Sequence, residues 1–88
     1  MEEKQIRILK ALAHPIRLQI VKILIDHGEL CVCQLNENVE FSQSNLSQHL
    51  KILRDASVVN TRKKGQWMMY RVEDESINKI MEALEHIQ

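Results

Sequence analysis

Cys31 and Cys33 are the only cysteines of the 88-residue chain, and one valine separates them in the stretch ELCVCQL. Two thiols this close could chelate a soft metal or metalloid, cycle between reduced and oxidised forms, or pack as small apolar side chains. Residues i and i+2 of an α-helix point about 200° apart, so a regular helix cannot offer both sulfurs to one ion, whereas extended backbone points them the same way. A shared site therefore requires the helix to begin late or its first turn to open. A helix start also favours the thiolate form that soft metals bind. An i, i+2 disulfide within one chain is expected to be strained, so oxidation is expected to join subunits or to stop at a mixed species.

The rest of the chain must position these thiols. Its length predicts one domain, residues 1–88, near the size at which a partner subunit often completes the core. A hydrophobic fraction of 44% with 27% charged residues predicts a packed fold. Twelve basic and twelve acidic side chains cancel, so any nucleic-acid role must rest on local charge placement. No basic start precedes an apolar signal-like run, and no apolar stretch of about 18 residues occurs, which predicts a cytoplasmic protein with no membrane association. Thiols are normally reduced in that compartment.

EEKQIRILKALA, residues 2–13, predicts a helix with acidic residues in its first turn and a stripe of Ile6, Leu9, Leu12 and Ala13. His14-Pro15 ends it, and Pro15 suits the first position of a second helix that runs to about Asp26 and stops at Gly28, expected to be left-handed. That helix carries Ile16, Ile20, Ile23 and Leu24 and is apolar on nearly all sides, which predicts burial between neighbours. A short helix over Val32–Asn38 leads to SQSNLSQHLKILRDA, a further helix that Ser42 can cap and that turns Leu46, Leu50 and Leu53 to the core.

On another face of that helix Ser44, Ser47, Gln48 and Lys51 line up, with Gln43 at its tip and Arg54 toward its far end. Short amide and hydroxyl side chains followed by cations suit a major-groove reader, since Gln pairs with adenine edges, Ser with several bases and Lys or Arg with phosphates. VVNTRKKGQWMMYRV then predicts two strands, about Val58–Lys63 and Trp67–Val72, joined at Lys64-Gly65-Gln66 beside a basic tip of Arg62, Lys63 and Lys64. The whole is mainly α with a β-hairpin wing: four helices, two strands and a last helix, a winged helix-turn-helix plan. No catalytic triad order or Gly-rich phosphate loop is present, so an enzyme is not expected.

AHPIRLQIVKIL, ELCVCQL, SQSNLSQHLKILRDA and RKKGQWMMYRV, in this order, resemble the ArsR/SmtB family of bacterial metalloregulators over almost the whole chain. The resemblance implies a homodimeric repressor that binds operator DNA and is released by an inducer. It implies DNA contacts from Gln43, Ser44, Ser47 and Gln48, with His49 beside them, and from Arg62, Lys63, Lys64 and Gln66 of the wing. For His49, next to Leu46 and Leu50, a hydrogen-bonding structural role is the competing expectation. It also implies that Cys31 and Cys33 hold a thiophilic inducer, arsenite or antimonite ahead of zinc or cadmium, with no obligatory cofactor. Asn36 stands where arsenic sensors of the family carry a third Cys. Asp74 fits the first position of the family's zinc and cobalt site, but Ser76 stands where a His is expected.

EDESINKIMEALEHIQ predicts a last helix, capped by Asp74 or Ser76, with Ile77, Ile80, Met81, Leu84 and Ile87 in one stripe. That stripe is large for a small monomer, and the resemblance pairs the first and last helices across a dimer. Two reading helices related by a two-fold axis would meet half-sites about 34 Å apart, an imperfect inverted repeat in double-stranded DNA. Two other functions are open: a thiol-based redox-sensing repressor, and a winged-helix module that binds protein and not DNA.

Overall fold

The structure, a computed structural model, describes residues 1–38 and 46–88. The elements run α1 (Glu3–Leu12), α2 (Pro15–His27), β1 (Leu30–Cys31), α3 (Val32–Asn38), α4 (Leu46–Asp55), β2 (Asn60–Lys64), β3 (Trp67–Arg71) and α5 (Glu75–Glu85). Local chemistry sets their boundaries. Pro15 opens α2, and the Nδ1 of His14 accepts from the Ile16 N–H at 3.1 Å, taking a donor that the helix leaves over. Gly28 ends α2 at φ 83°, ψ −156°, a region reserved for glycine but not the left-handed helical well expected from sequence. The extended ψ throws the chain directly into β1.

β1 is the strand that the sequence reading lacked. It is two residues long, and its pairing with β3 (Leu30 opposite Tyr70, Cys31 opposite Met69) is too short to show as an alternation of apolar residues. β3 is central in a three-stranded antiparallel sheet of order β1-β3-β2. The hairpin closes with Lys64 opposite Trp67 and Gly65 at φ 62° at the first turn position, which glycine fills without steric cost.

The first hairpin strand starts at Asn60, two residues later than expected. α4 finishes in a Schellman motif: Ser57 lies at φ 61°, its N–H donates to the Arg54 carbonyl at 2.9 Å, and the Val58 N–H donates to the Leu53 carbonyl at 2.9 Å. Val58 and Val59 are thus spent on closing the helix, and both are buried. A serine at the left-handed position hides this motif from a search for glycine.

The core is one cluster that joins Ala11 and Leu12 of α1, Ile20, Val21 and Leu24 of α2, Leu35 of α3, Leu46, Leu50 and Leu53 of α4, and Ile77 and Met81 of α5. Ile16 and Ile23 of α2 are half-buried, as is Ile80 of α5. Asp74 caps α5, accepting from the Ser76 N–H at 2.8 Å. Part of the expected core does not close on itself. Ile6 and Leu9 of α1, Leu84 of α5 and Ile87 beyond it are exposed, Leu9 by 54%. No helix among the described residues is long and apolar enough to cross a membrane.

Candidate nucleic-acid interface and thiol site

α3 begins at Val32, which is the late start that a shared thiol site requires. Cys31 is the last residue of a strand and Cys33 lies in the first turn of the helix, so the opposed directions of an i, i+2 helical pair do not apply. The structure joins the two in a disulfide, with Cα atoms 5.5 Å apart, inside the ordinary range for that bond. The expectation was that oxidation joins subunits or stops at a mixed species; in the structure the bond lies within the chain, with Cys31 in extended backbone. Cys31 also organises the start of α3. The Gln34 amide oxygen accepts from the Cys31 N–H at 3.0 Å, and the Gln34 N–H donates to the Cys31 Sγ at 3.4 Å, a reciprocal cap with sulfur in place of the usual hydroxyl. Cys31 is buried and Cys33 exposed. Among the described residues, no group of three or more His, Cys, Asp or Glu side chains could hold a metal ion.

On α4 the buried row Leu46, Leu50 and Leu53 leaves Ser47, Gln48 and Lys51 together on the exposed side. Lys51 pairs with Asp55 one turn on at 2.9 Å, which holds the Asp55 carboxyl below its ordinary range. Gln43, Ser44 and the expected cap Ser42 lie outside the described residues. His49 sits between the exposed and buried rows. Its ring packs against that of His14, tilted by 52° with centroids 4.7 Å apart, and its Nδ1 lies 3.4 Å from a guanidinium nitrogen of Arg17. Since arginine can only donate, the Nδ1 of His49 must carry a lone pair, and the ring is the neutral Nε2–H tautomer. Burial pushes its pKa down, and the nearby His14 and Arg17 push the same way. Arg17 is fixed in turn by its Nε, which donates to the Ala11 carbonyl at 2.6 Å. A chain of contacts therefore ties α1, α2 and α4 together.

The wing separates its cations into two sets. Arg62 gives a forked pair of hydrogen bonds to Glu29, both 2.7 Å, and Arg71 reaches the same carboxylate at 3.3 Å. Arg71 also pairs with Glu73. Arg62's hydrogen bonds hold the Glu29 carboxyl below the usual carboxylate range, against the opposing effect of desolvation. Lys63, Lys64 and Gln66 at the tip are exposed, and among the described residues no ion pair involves either lysine. Trp67 and Met68 are exposed beside them. Arg17 and Glu29 escaped the sequence reading because their partners lie 32 and 33 residues away, beyond any local pattern.

A helix pair, an exposed polar face on its second helix and a cationic β-hairpin define a winged helix-turn-helix regulator. Residues 14–61 match the family described as bacterial regulatory protein, arsR family. An uncharacterized HTH-type transcriptional regulator of Methanocaldococcus jannaschii is 35% identical over 97% of this chain and 96% of its own length. The arsenical resistance operon repressor of Bacillus subtilis is 46% identical over 82% of this chain and 69% of its own. The structure of HlyU from Vibrio cholerae aligns with a TM-score of 0.83 at 41% identity, covering 99% of this chain and 97% of that one. The chain belongs to the ArsR family: it is a winged-helix transcriptional regulator and not an enzyme.

Proposed function

We propose that the protein is a cytoplasmic repressor that binds an imperfect inverted repeat as a homodimer and lets go when its two thiols are bridged. The observation that carries this reading is the place of the pair: Cys31 and Cys33 straddle the start of α3, one helix ahead of α4 and strand-paired to the wing. Closing or opening them bears on every element that would meet DNA. Ser47, Gln48 and Lys51 of α4, preceded by Gln43 and Ser44, read the major groove. Lys63, Lys64 and Gln66 meet the flanking backbone. His49 braces α4 against α2 from behind.

The bridging agent is a thiophilic metalloid. Arsenous acid condenses with two thiols, forming two As–S bonds, releasing two waters and retaining one hydroxyl, and antimonite reacts alike. The pair, already close enough to bond to each other, fits this chemistry, and an arsenical resistance repressor is among its relatives. Zinc fits less well, since it takes four ligands, or three and a water. The disulfide itself favours a second reading, in which an oxidant removes two electrons and two protons from the dithiol and the same closure follows.

The test is fluorescence anisotropy on a duplex selected from a randomised pool with the reduced protein. Arsenite should release the wild type, and a peroxide arm separates the two bridging chemistries. Release by arsenite that persists unchanged in Cys31→Ser/Cys33→Ser would defeat the proposal. The protein-interaction alternative fails if affinity for the duplex drops steeply with added salt.

Dimerisation uses the apolar residues that the monomer leaves uncovered. Ile6 and Leu9 on α1 and Leu84 on α5 are exposed, and a cleft of about 430 Å³ runs between the two helices, lined by Ile8, Leu9, Ile77 and Ile80 among others. Exposed apolar groups gathered on two neighbouring elements are what a partner surface covers.

A further inference from the structure

Glu29 stands two residues before Cys31, and its carboxylate takes contacts from two arginines of the sheet. Arg62 Nε and Nη2 meet its two oxygens at 2.7 Å each, and Arg71 Nη1 adds a third contact at 3.3 Å. The side chain of Glu29 is 19% exposed against 52% for Arg62. The register explains why they meet. Cys31 lies opposite Met69, and Met69 lies opposite Arg62 on its other side, so these three share one sheet face. Glu29, in the bend just before β1, reaches that same face, where its carboxylate meets Arg62 of β2 and Arg71 of β3. A forked arginine–carboxylate pair fixes orientation as well as distance, which a lysine at the same place would not do. With only two residues of β1 in the sheet, this pair adds a charged side-chain link between the segment before the thiols and the hairpin.

We propose that Glu29 is a positioning residue that ties the dithiol segment to the wing: it withholds Arg62 from DNA phosphates and carries a change at Cys31 and Cys33 to the hairpin. The second half rests on the reading of the thiol pair as the switch. Arg62 thereby leaves the set of DNA-contacting wing residues, and Lys63 and Lys64 keep that task.

Trp67 is the only tryptophan of the chain, sits on β3 opposite Lys64 and is 52% exposed, so its emission reports on the wing without a label. The experiment compares the emission of the full chain, free of DNA, after reduction with a phosphine and after diamide. Diamide takes two hydrogens from the thiols, leaves the Cys31–Cys33 disulfide and is reduced to a hydrazine. Emission should differ between the two states in the wild type. Glu29→Gln and Arg62→Gln should each lose the difference, the double variant should match either single one, and Glu29→Asp should keep it. No difference in the wild type, or an undiminished one in Glu29→Gln, overturns the tie.

A second measurement examines the withheld arginine: the dependence of affinity for the selected duplex on salt. Arg62→Gln should leave the slope of log K against log salt unchanged, while Lys64→Gln should lower it by about 1.8, the loss of one phosphate contact from each subunit of the dimer. A drop of that size in Arg62→Gln overturns the withholding. Equal duplex affinities of the reduced and oxidised wild type would instead remove the switch reading, while the Trp67 emission still decides whether the tie exists.

Discussion

His49 occupies a position on α4 from which a side chain could reach DNA, yet its ring is held between His14 and Arg17. The cost of that placement is a pH sensitivity whose sign follows from burial. The folded state lowers the pKa of His49 below the ordinary 6.5, so between these values the unfolded chain binds more protons than the folded one. Stability is complete above the ordinary value and falls as the pH drops toward the folded one. Thermal melts from about pH 7.5 down to about pH 5.5 should show a decline that His49→Gln flattens, since glutamine does not titrate. A decline of the same size in the variant would place the sensitive group elsewhere. At Leu50, wholly enclosed on the inner side of the same helix, truncation to Ala should cost about 2–5 kcal/mol in denaturant unfolding. Residue types made the thiols, the polar face of α4 and the wing lysines legible in the sequence, because each stands within a local pattern. Arg17 and Glu29 were illegible, as a lone charge shows no partner until the fold supplies one.

Among the elements, helices with strong capping were read almost to the residue: Pro15 marked the start of α2, and Asp74 was one of two candidates for the cap of α5. The misses fall where backbone hydrogen bonding, and not side-chain periodicity, decides. β1 exists because two residues meet a ready-made strand edge, and the start of β2 is delayed because Val58 donates to Leu53 of α4. The latter yields a test. Ser57 holds a left-handed conformation that glycine adopts without penalty, so Ser57→Gly should raise stability by about 0.5–1 kcal/mol, read as an increased midpoint in urea. A decrease would mean that the hydroxyl contributes more than the backbone relief. For the wing, Lys63→Ala/Lys64→Ala should reduce the salt slope of DNA affinity by about 3.6, two phosphate contacts in each subunit of the dimer, with the fold intact by circular dichroism. An unchanged slope would remove the hairpin tip from the interface.

At the scale of the whole molecule, a chain of zero formal net charge exerts little long-range pull on DNA, so its charges must work by placement: lysines exposed at the wing tip, arginines paired behind it. Pairing two subunits through α1 and α5 would double that effect and cover the apolar residues left in the open. Leu9→Glu/Leu84→Glu should therefore shift sedimentation at micromolar concentration from dimer toward monomer and weaken affinity for the inverted repeat by at least about tenfold, through loss of the second half-site. A dimer that withstands both changes would place the interface on another face. The cross-link between Cys31 and Cys33 closes a loop of only three residues. In chain-entropy terms it restricts the unfolded state by about 1.5 kcal/mol, roughly half of what a fifteen-residue loop would contribute. It is thus a poor staple. Forming or breaking it should move the melting temperature only slightly, leaving a regulator that changes state without approaching its own unfolding.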